Sequence, residues 1–244
     1  MSWQTGSPRR GAMATSWSAP VDSPEDSIRR DLRDLAAAGH CQRVYGGAVL
    51  SSRALVDYRS RADVEPESKR RIARRAALLI NPGDRVILDG GTTTLAVARA
   101  LPADLQATVI THSPTIAAAL VDHPTVEILL LGGRIYKHSA VACGAGAAEA
   151  ARAITADLFL LGVTGVHAEH GLTTGDAEEA AMKRTLAGRA ADTYVLASAE
   201  KIGAVSPYLV LDLDAVTAIV TDAPRTDALD ALRNTTPAII TASS

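Results

Sequence analysis

The sequence predicts an α/β fold, in which a mostly parallel sheet is flanked by helices. From residue 67 onward, short apolar strands alternate with helical segments, which is the order that βαβ units produce. Hydrophobic residues make up 47% of the 244-residue chain, enough for one substantial core. Because the chain has one Phe and two Trp, that core must consist mainly of Ala, Val, Leu and Ile, which suits helices packed on a parallel sheet.

The first part of the chain predicts a short helix followed by a β-wing. Residues 1–22 mix Gly, Pro and Ser without a helical or strand period, and we expect them to be disordered or atypical. Ser23 then offers a helix N-cap with Pro24 in the first turn, and Gly39 offers a stop. The segment CQRVYGGAVL, residues 41–50, predicts two short strands joined by a Gly-Gly turn.

The predicted helix is amphipathic and basic. Its apolar stripe, at spacings of four and three, consists of Ile28, Leu32 and Leu35. Off this stripe lie three arginines, Arg29, Arg30 and Arg33. Such a helix needs another apolar surface to pack on, and Pro and Gly in residues 1–22 would interrupt most supporting helices there. We therefore expect this helix to be marginally stable on its own.

The rest of the chain predicts a linker and then the α/β domain, over residues 53–66 and 67–244. The domain begins with a helix over residues 67–80, which stops at NPGD. Strands are then expected at 85–89, 107–111, 126–133, 157–165, 193–198 and 218–222. Further helices are expected at 94–101, 114–122, 145–154 and 176–191.

Charge is distributed unevenly along the chain. Residues 1–80 contain 14 Lys and Arg against nine Asp and Glu, whereas residues 81–244 contain 11 against 18. An acidic body with a basic front end is typical of a nucleic-acid-binding appendage on a globular domain. A solvated charged helix face would explain the same asymmetry.

Cysteine usage and hydropathy favour a cytoplasmic protein. Cys41 and Cys143 form neither a CxxC motif nor a disulfide framework. No apolar run reaches the roughly 18 to 20 residues of a membrane span, and the N-terminus lacks the apolar centre of a signal peptide. We therefore expect no membrane association.

Small and polar residues follow several of the predicted strands. The strand at 85–89 ends in Asp89 and is followed by GGTTT, residues 90–94, which precedes a helix. Backbone N–H groups, hydroxyls and the positive end of a helix together favour an anion site. A structural turn explains GGTTT equally well, and the segment is neither a Walker loop nor a GxGxxG motif.

Charged side chains near two later loops are further candidates. Glu178, Glu179 and Lys183 lie at the start of a predicted helix, where the last two form an i, i+4 pair that could be a surface contact only. Lys201, in the loop AEKIG, could meet a phosphate or remain solvated. His167 and His170 have no third ligand nearby, so we expect neither a metal nor a cofactor.

These motifs together resemble the DeoR/GlpR family of bacterial sugar-responsive transcriptional repressors. SIRRDLRDLAAAGHCQRVYGGAVL is similar to the recognition helix and wing of that family. Family members have further helices before this segment, so the resemblance implies an incomplete winged helix-turn-helix over residues 23–52. The sensor motifs DGGTTT, THS, LLGG, ADLFLLGVTGVHAEHGLTT, EEAAMK and EKIG follow in the expected order. The resemblance covers about 200 of the 244 residues. It implies a winged helix-turn-helix on a sensor domain related to ribose-5-phosphate isomerase, which leaves operator DNA when a phosphorylated sugar binds, and it implies dimers or tetramers.

The resemblance also implies roles for individual residues. The expected phosphate-side residues are Gly91, Thr92, Thr93 and Thr94, with Gly132 and Gly133 nearby. The residues expected to contact sugar hydroxyls or phosphate are Asp89, Glu178, Lys183 and Lys201. The residues expected to face DNA are Arg29, Arg30, Arg33 and Arg43.

One departure from the family pattern argues against catalysis. Isomerase relatives have an Asp at the start of the loop before the lysine, whereas this chain has Ser198. Sugar isomerisation requires a carboxylate base beside the substrate, so we expect no catalytic residue. The alternative to a DNA-binding repressor is a sugar-phosphate-binding or isomerase-like protein of the same fold that does not bind DNA.

Overall fold

The computed structural model describes residues 25–37, 41–44, 47–50, 52, 57–235 and 238–242. Within these ranges the helices are α1 (Glu25–Ala37), α2 (Tyr58–Ala62), α3 (Pro66–Ala77), α4 (Thr92–Ala100), α5 (Pro114–Leu120), α6 (Ala145–Arg152), α7 (Ala177–Ala187) and α8 (Asp227–Arg233). The first seven strands are β1 (Cys41–Val44), β2 (Gly47–Leu50), β3 (Arg85–Leu88), β4 (Thr108–Thr111), β5 (Glu127–Leu130), β6 (Arg134–Tyr136) and β7 (Val141–Cys143). The other strands are β8 (Ala156–Gly162), β9 (Gly165–His167), β10 (Gly171–Thr174), β11 (Ala190–Leu196), β12 (Tyr208–Leu211), β13 (Ala218–Thr221) and β14 (Ala238–Thr241).

The central sheet confirms the predicted α/β class. Seven strands are hydrogen-bonded in the order β14-β13-β11-β8-β3-β4-β5, and every neighbouring pair is parallel. Strand β3 lies between β8 and β4, so Leu88 is aligned with Leu160 on one side and Thr111 on the other. The carboxyl ends of these strands therefore meet at one edge of the sheet.

The two faces of the sheet contact separate apolar cores. Along β3, Ile87 faces one core with Phe159, while Val86 and Leu88 face the other core with Ile72 of α3. All of these side chains are buried. Alternation of this kind is what a strand covered by helices on both faces requires, and it explains why the predicted strands read as unbroken apolar runs.

Several elements differ from the sequence-based expectation. Helix α4 begins at Thr92, two residues before the expected start at residue 94, so Thr92 and Thr93 belong to its first turn rather than to a loop. The stretch after β5 contains the antiparallel hairpin β6–β7, and β9, β10 and β12 form a separate antiparallel sheet. These short strands escaped prediction because each has only three or four residues, too few for a visible period.

The N-terminal module contains α1 and the antiparallel pair β1–β2, which confirms the predicted helix and wing. Ile28, Leu32 and Leu35 are partly buried. Cys41 Sγ donates a weak hydrogen bond to the carbonyl of Leu32 at 3.7 Å, which ties the wing to the helix. The predicted cap at Ser23, the stop at Gly39 and residues 1–22 lie outside the described residues.

Helix α2 lies within the range expected to be a linker. Asp57 caps it by accepting a hydrogen bond from the backbone N–H of Ser60 at 2.9 Å. Its Arg61 side chain is buried, so this part of the range packs on the α/β domain. Across the described ranges, no helix is long and apolar enough to cross a membrane.

Candidate ligand-binding cleft

A cleft lies at the carboxyl ends of the neighbouring strands β3, β8 and β11. The residues that line it are Arg61, Val64, Lys69, Gly90, Gly91, Thr92, Thr93, Thr94, Gly162, Val163, Thr164, Glu179, Glu200 and Lys201. About 450 Å³ of space inside it is free of protein atoms, part of it open to solvent. Ligands of open α/β sheets bind at this edge because loops and helix N-termini converge there.

Helix α4 directs its N-terminus into the cleft. Its first backbone N–H groups have no acceptor within the helix, so they can donate to a bound anion. Gly91 adopts φ 136°, a conformation that glycine tolerates best. A Cβ atom on Gly90 would lie 1.9 Å from Cγ1 of Val141, so this position accepts no side chain. Both glycines are therefore required for the chain to turn closely from β3 into α4.

A buried ion-pair network forms the cleft floor, which we define as Asp89, His112, Glu179 and Lys183. Lys183 Nζ donates a hydrogen bond to Asp89 Oδ2 and lies 3.2 Å from Glu179 Oε1. Asp89 also accepts from the backbone N–H of Gly162 at 2.9 Å, and its Oδ1 lies 3.0 Å from His112 Nε2. Each charged group in the floor thus has a partner of opposite charge within the protein.

The floor charges stabilise each other despite complete burial. Burial by itself raises the pKa of Asp89, but Lys183 and the hydrogen bond from His112 outweigh it and hold that pKa below its usual value. Burial likewise acts to lower the pKa of Lys183, and the two carboxylates Asp89 and Glu179 outweigh it and raise that pKa. Both groups therefore remain charged near neutral pH.

Different electrostatics apply to the cleft wall, which we define as Arg61, Lys69, Glu200 and Lys201. The pKa of Lys201 is lowered to about 8, mainly by burial and also by the nearby cations Lys69, Arg61 and Lys183, against the opposing effect of Glu200. The pKa of Lys69 is lowered by burial as well. Glu200 Oε1 accepts a hydrogen bond from Ser198 Oγ at 2.6 Å. Within the described residues, Arg61 Nε and Glu200 Oε2 are buried without a hydrogen-bond partner.

The structure brings together seven of the ten residues that the sequence predicted for effector binding. The five that line the cleft are Gly91, Thr92, Thr93, Thr94 and Lys201. Asp89 and Lys183 lie beneath the surface, where they form the floor. Ser198, the departure noted in the sequence, is fully buried and holds Glu200 in position.

The other three predicted residues lie away from the cleft. Gly132 and Gly133 follow β5, which is at the edge of the sheet with β4 between it and β3. Glu178 lies on the exposed side of α7, where it forms a surface ion pair with Arg134 at 2.6 Å. Because neighbouring residues of a helix are about 100° apart, Glu179 rather than Glu178 faces the cleft.

Four charged residues that line the cleft were not assigned to effector binding from the sequence: Arg61, Lys69, Glu179 and Glu200. Arg61 and Lys69 come from α2 and α3, which precede the motifs in sequence and reach the cleft only through tertiary packing. The Glu179–Lys183 spacing was a usable signal, and the structure shows a buried pair rather than a surface contact. Glu200 adjoins Lys201 in the same loop and could have been included with it.

Two other side-chain groups have no place in the cleft lining. The rings of His167 and His170 are 4.7 Å apart. In the described part of the chain, no group of three or more His, Cys, Asp or Glu residues could hold a metal ion. Cys143 is buried, and burial raises the pKa of its thiol to about 12, which makes it a packing residue rather than a nucleophile at neutral pH.

On the N-terminal module, the predicted DNA-facing arginines of α1 are accessible. Arg29, Arg30 and Arg33 are all exposed. Arg43 belongs to β1, and its side chain lies outside the described residues. The exposed guanidinium groups can meet phosphate oxygens or guanine edges.

A cleft of this kind, in a domain that follows a helix and wing along the chain, is typical of a ligand-sensing domain joined to a DNA-binding module. Residues 64–223 match the DeoR C terminal sensor domain, and residues 22–54 match the DeoR-like helix-turn-helix domain. The chain therefore belongs to the DeoR family of transcriptional regulators.

Proteins similar to this chain carry names of the same kind. The HTH-type transcriptional repressor GlcR of Bacillus subtilis (strain 168) is 37% identical over 199 residues, which is 81% of this chain and 76% of that protein. The glycerol-3-phosphate regulon repressor of Escherichia coli (strain K12) is 29% identical over 203 residues, which is 83% of this chain and 80% of that protein. These relatives are named as repressors rather than enzymes.

Among solved structures, a ribose 5-phosphate isomerase from Methanocaldococcus jannaschii is similar over part of the chain. The two chains are 16% identical, and the match covers 56% of this chain and 54% of the isomerase with a TM-score of 0.42.

Proposed function

We propose that this chain represses genes of sugar metabolism and that a phosphorylated sugar in the cleft lowers its affinity for operator DNA. The observation that carries the proposal is the composition of the cleft. A helix N-terminus, three cations and two carboxylates line one space in a sensor domain that is joined to a DNA-binding module.

The phosphate would bind at the start of α4. Backbone N–H groups and hydroxyls of Thr92, Thr93 and Thr94 provide neutral donors at the positive end of a helix. Lys201 and Lys69 line the same space and would supply charge-assisted hydrogen bonds, which are about twice as strong as neutral ones. An anion would also offset the cost of burying these two ammonium groups.

The sugar hydroxyls would bind on the side of the two cleft carboxylates. Glu200 Oε2 is a buried acceptor without a partner within the described residues, so a hydroxyl donor would satisfy it. Glu179 lines the cleft, and Lys183 and Ser139 hold its two oxygens in place. Asp89 and Lys183 would act from below by fixing the shape of the floor. Glu179 would therefore make the contact with the sugar phosphate that the sequence assigned to Glu178.

Relatives support a phosphorylated effector and an operator partner. The Escherichia coli relative is named the glycerol-3-phosphate regulon repressor, and glycerol 3-phosphate is itself a phosphorylated polyol. For DNA, the exposed arginines of α1 supply the positive charge that contacts with phosphates require. We further propose that the chain works as a dimer or tetramer, since two modules can then bind two half-sites of an operator.

A fluorescence anisotropy titration tests this proposal. A labelled promoter fragment of the encoding gene cluster is titrated with the protein at fixed salt, with and without ribose 5-phosphate, glucose 6-phosphate, fructose 1-phosphate or glycerol 3-phosphate. We expect specific binding that at least one of these compounds weakens, by a factor in the usual coupling range of about 5 to 150. A scrambled fragment of equal length and inorganic phosphate serve as controls.

Two outcomes would contradict the proposal. If the protein binds a sugar phosphate in calorimetry but no promoter fragment specifically, the alternative of a sugar-phosphate-binding protein without DNA affinity is correct. If it converts ribose 5-phosphate to another pentose phosphate, the isomerase-like alternative is correct.

A further inference from the structure

Residues 52–65, which we call the connecting segment, span the junction of the two matched domains, and their described part contacts the cleft. The helix-turn-helix match ends at residue 54 and the sensor match begins at residue 64. Within the connecting segment the structure describes residue 52 and residues 57–65. Ser52 Oγ donates a hydrogen bond to the carbonyl of Thr164, a residue that lines the cleft.

Arg61 anchors α2 through its own side chain. Its Nη2 donates to the carbonyl of His138 at 2.9 Å and to Ser139 Oγ at 3.1 Å. Ser139 Oγ in turn donates to Glu179 Oε2 at 2.9 Å. A chain of hydrogen bonds therefore runs from α2 to the cleft floor.

Lys69 anchors the C-terminal end of the same helix through the backbone. Its Nζ donates hydrogen bonds to the carbonyl of Arg61, in the last turn of α2, and to the carbonyl of Val64, two residues beyond it. Lys69 is buried and lines the cleft. Both cations that hold α2 are thus also cations that a ligand in the cleft would contact.

Arg61 has an unused donor in this arrangement. Its Nε is buried without an acceptor within the described residues, although the guanidinium group lines the cleft. An unsatisfied buried donor is destabilising, so an acceptor oxygen that arrived in the cleft would gain this hydrogen bond. The same oxygen would compete with the carbonyl of His138 and the hydroxyl of Ser139 for the guanidinium group.

We propose that the connecting segment senses occupancy of the cleft through Arg61 and Lys69. An acceptor oxygen of the bound sugar phosphate draws hydrogen bonds from both cations, which weakens their hold on α2. Helix α2 then shifts, and with it the point to which the helix-turn-helix module is attached. The inference rests on the proposed function and adds to it the route by which the cleft acts on DNA binding.

The test compares Arg61→Gln with the matched control Arg59→Gln. Arg59 is exposed on the same helix and does not line the cleft. For each protein, operator affinity is measured without sugar phosphate and at saturating concentration of whichever of the four compounds binds wild type, and the ratio is the coupling factor. Saturation removes any loss of sugar-phosphate affinity from the comparison.

We expect the coupling factor to fall to about one in Arg61→Gln and to stay within the wild-type range of about 5 to 150 in Arg59→Gln. Arg61→Lys keeps a cation of similar length and should give an intermediate factor, which covers the case in which the Gln variant fails to fold. A wild-type coupling factor in both Arg61 variants would overturn the inference while leaving the proposed function intact.

Hydrogen–deuterium exchange provides a readout that does not depend on DNA. Amides of residues 57–65 should exchange faster in Arg61→Gln than in Arg59→Gln without any ligand, because one anchor of α2 is lost. In wild type, inorganic phosphate and the four sugar phosphates are added in separate samples. If operator affinity of wild type does not change with any sugar phosphate, the proposed function fails. If residues 57–65 exchange equally fast in Arg61→Gln and Arg59→Gln, the anchoring of α2 by Arg61 is rejected, whatever the outcome for DNA binding.

Discussion

Lys183 and Lys201 are both buried at the same cleft, yet their pKa values shift in opposite directions. Lys183 belongs to the floor, where Asp89 and Glu179 raise its pKa above the usual value. Lys201 belongs to the wall, where burial and neighbouring cations lower its pKa to about 8 in spite of Glu200. Burial penalises both ammonium groups, so the difference comes from the charges that face each one: two carboxylates for Lys183, and one carboxylate with several cations for Lys201.

This contrast separates charges that hold the fold from charges that remain available to a ligand. In the floor network, each charged group is paired with an oppositely charged group of the protein. The wall has more positive than negative charge, and Arg61 Nε and Glu200 Oε2 are buried there without a hydrogen-bond partner among the described residues. Variants of the floor should therefore change stability, and variants of the wall should change ligand affinity.

The largest expected effect is on stability, from Lys183→Met. This substitution removes the cation that neutralises Asp89 and Glu179 and leaves their charges buried, which costs about 3 to 5 kcal/mol of the free energy of unfolding. Urea denaturation followed by circular dichroism measures it. The double variant Asp89→Asn with Lys183→Met should recover part of the loss, and a loss below about 1 kcal/mol in the single variant would contradict the assignment of the floor.

The next effect is on ligand affinity, from Lys201→Met. The substitution removes the ammonium group from the wall, and loss of a charge-assisted hydrogen bond of about 1.5 to 3 kcal/mol weakens sugar-phosphate binding about 10- to 100-fold. Folding should be retained because a long apolar side chain replaces the stem of the lysine. Isothermal titration calorimetry measures the affinity, and an unchanged dissociation constant would reject Lys201 as a ligand contact.

A smaller effect is expected from pH. Because the pKa of Lys201 is lowered to about 8, its charge is present below that pH and is lost as the pH rises above it. Affinity for a sugar phosphate should therefore decrease from neutral pH towards pH 9, by up to about tenfold per pH unit above the pKa. The same titration with Lys201→Met provides the control, and its affinity should be flat over this range. Identical pH profiles for the two proteins would count against this assignment.

The smallest effect is expected at the surface of α7. Glu178→Gln removes a solvent-exposed ion pair with Arg134, whose side chains are 55% and 71% exposed, so the free energy of unfolding should change by at most about 0.5 kcal/mol. Glu179→Gln, one residue further, should reduce both stability and sugar-phosphate affinity, since its carboxylate faces the floor and the cleft. Equal effects of the two variants on affinity would show that the side of α7 facing the ligand is wrongly assigned.

The alternation of strands and helices was sufficient to predict six of the seven strands of the sheet, because buried parallel strands such as β3 and β8 are short apolar runs bounded by polar loops. The edge strand β14 was not expected. The start of α4 was placed too late because Gly91 and the β-branched threonines after it are poor helix formers. Thr93 and Thr94 are buried, and their tertiary packing stabilises the first turn of the helix. Local propensity therefore located the loop region correctly but placed the helix boundary too late.

Only those cleft residues that belong to local sequence motifs were predicted. Residues 91–94 and Lys201 follow strands directly, and their place follows from the topology. Arg61 contacts residues 77 and 78 positions away, and no periodic pattern in YRSRA signals that partnership. The choice between Glu178 and Glu179 depends on the rotation of α7 about its axis, which a helix with a mixed polar and apolar surface leaves undetermined from sequence.

The hydrogen bond between Asp89 and Lys183 joins residues 94 positions apart. A contact of this separation closes a long loop, and such contacts form late in folding. The cleft also needs Arg61 from an early helix and Lys201 from a late turn. During synthesis, a ribosome must therefore extend the chain beyond residue 201 before any nascent protein has a complete cleft. A nascent chain shorter than 201 residues therefore has no complete site for a ligand.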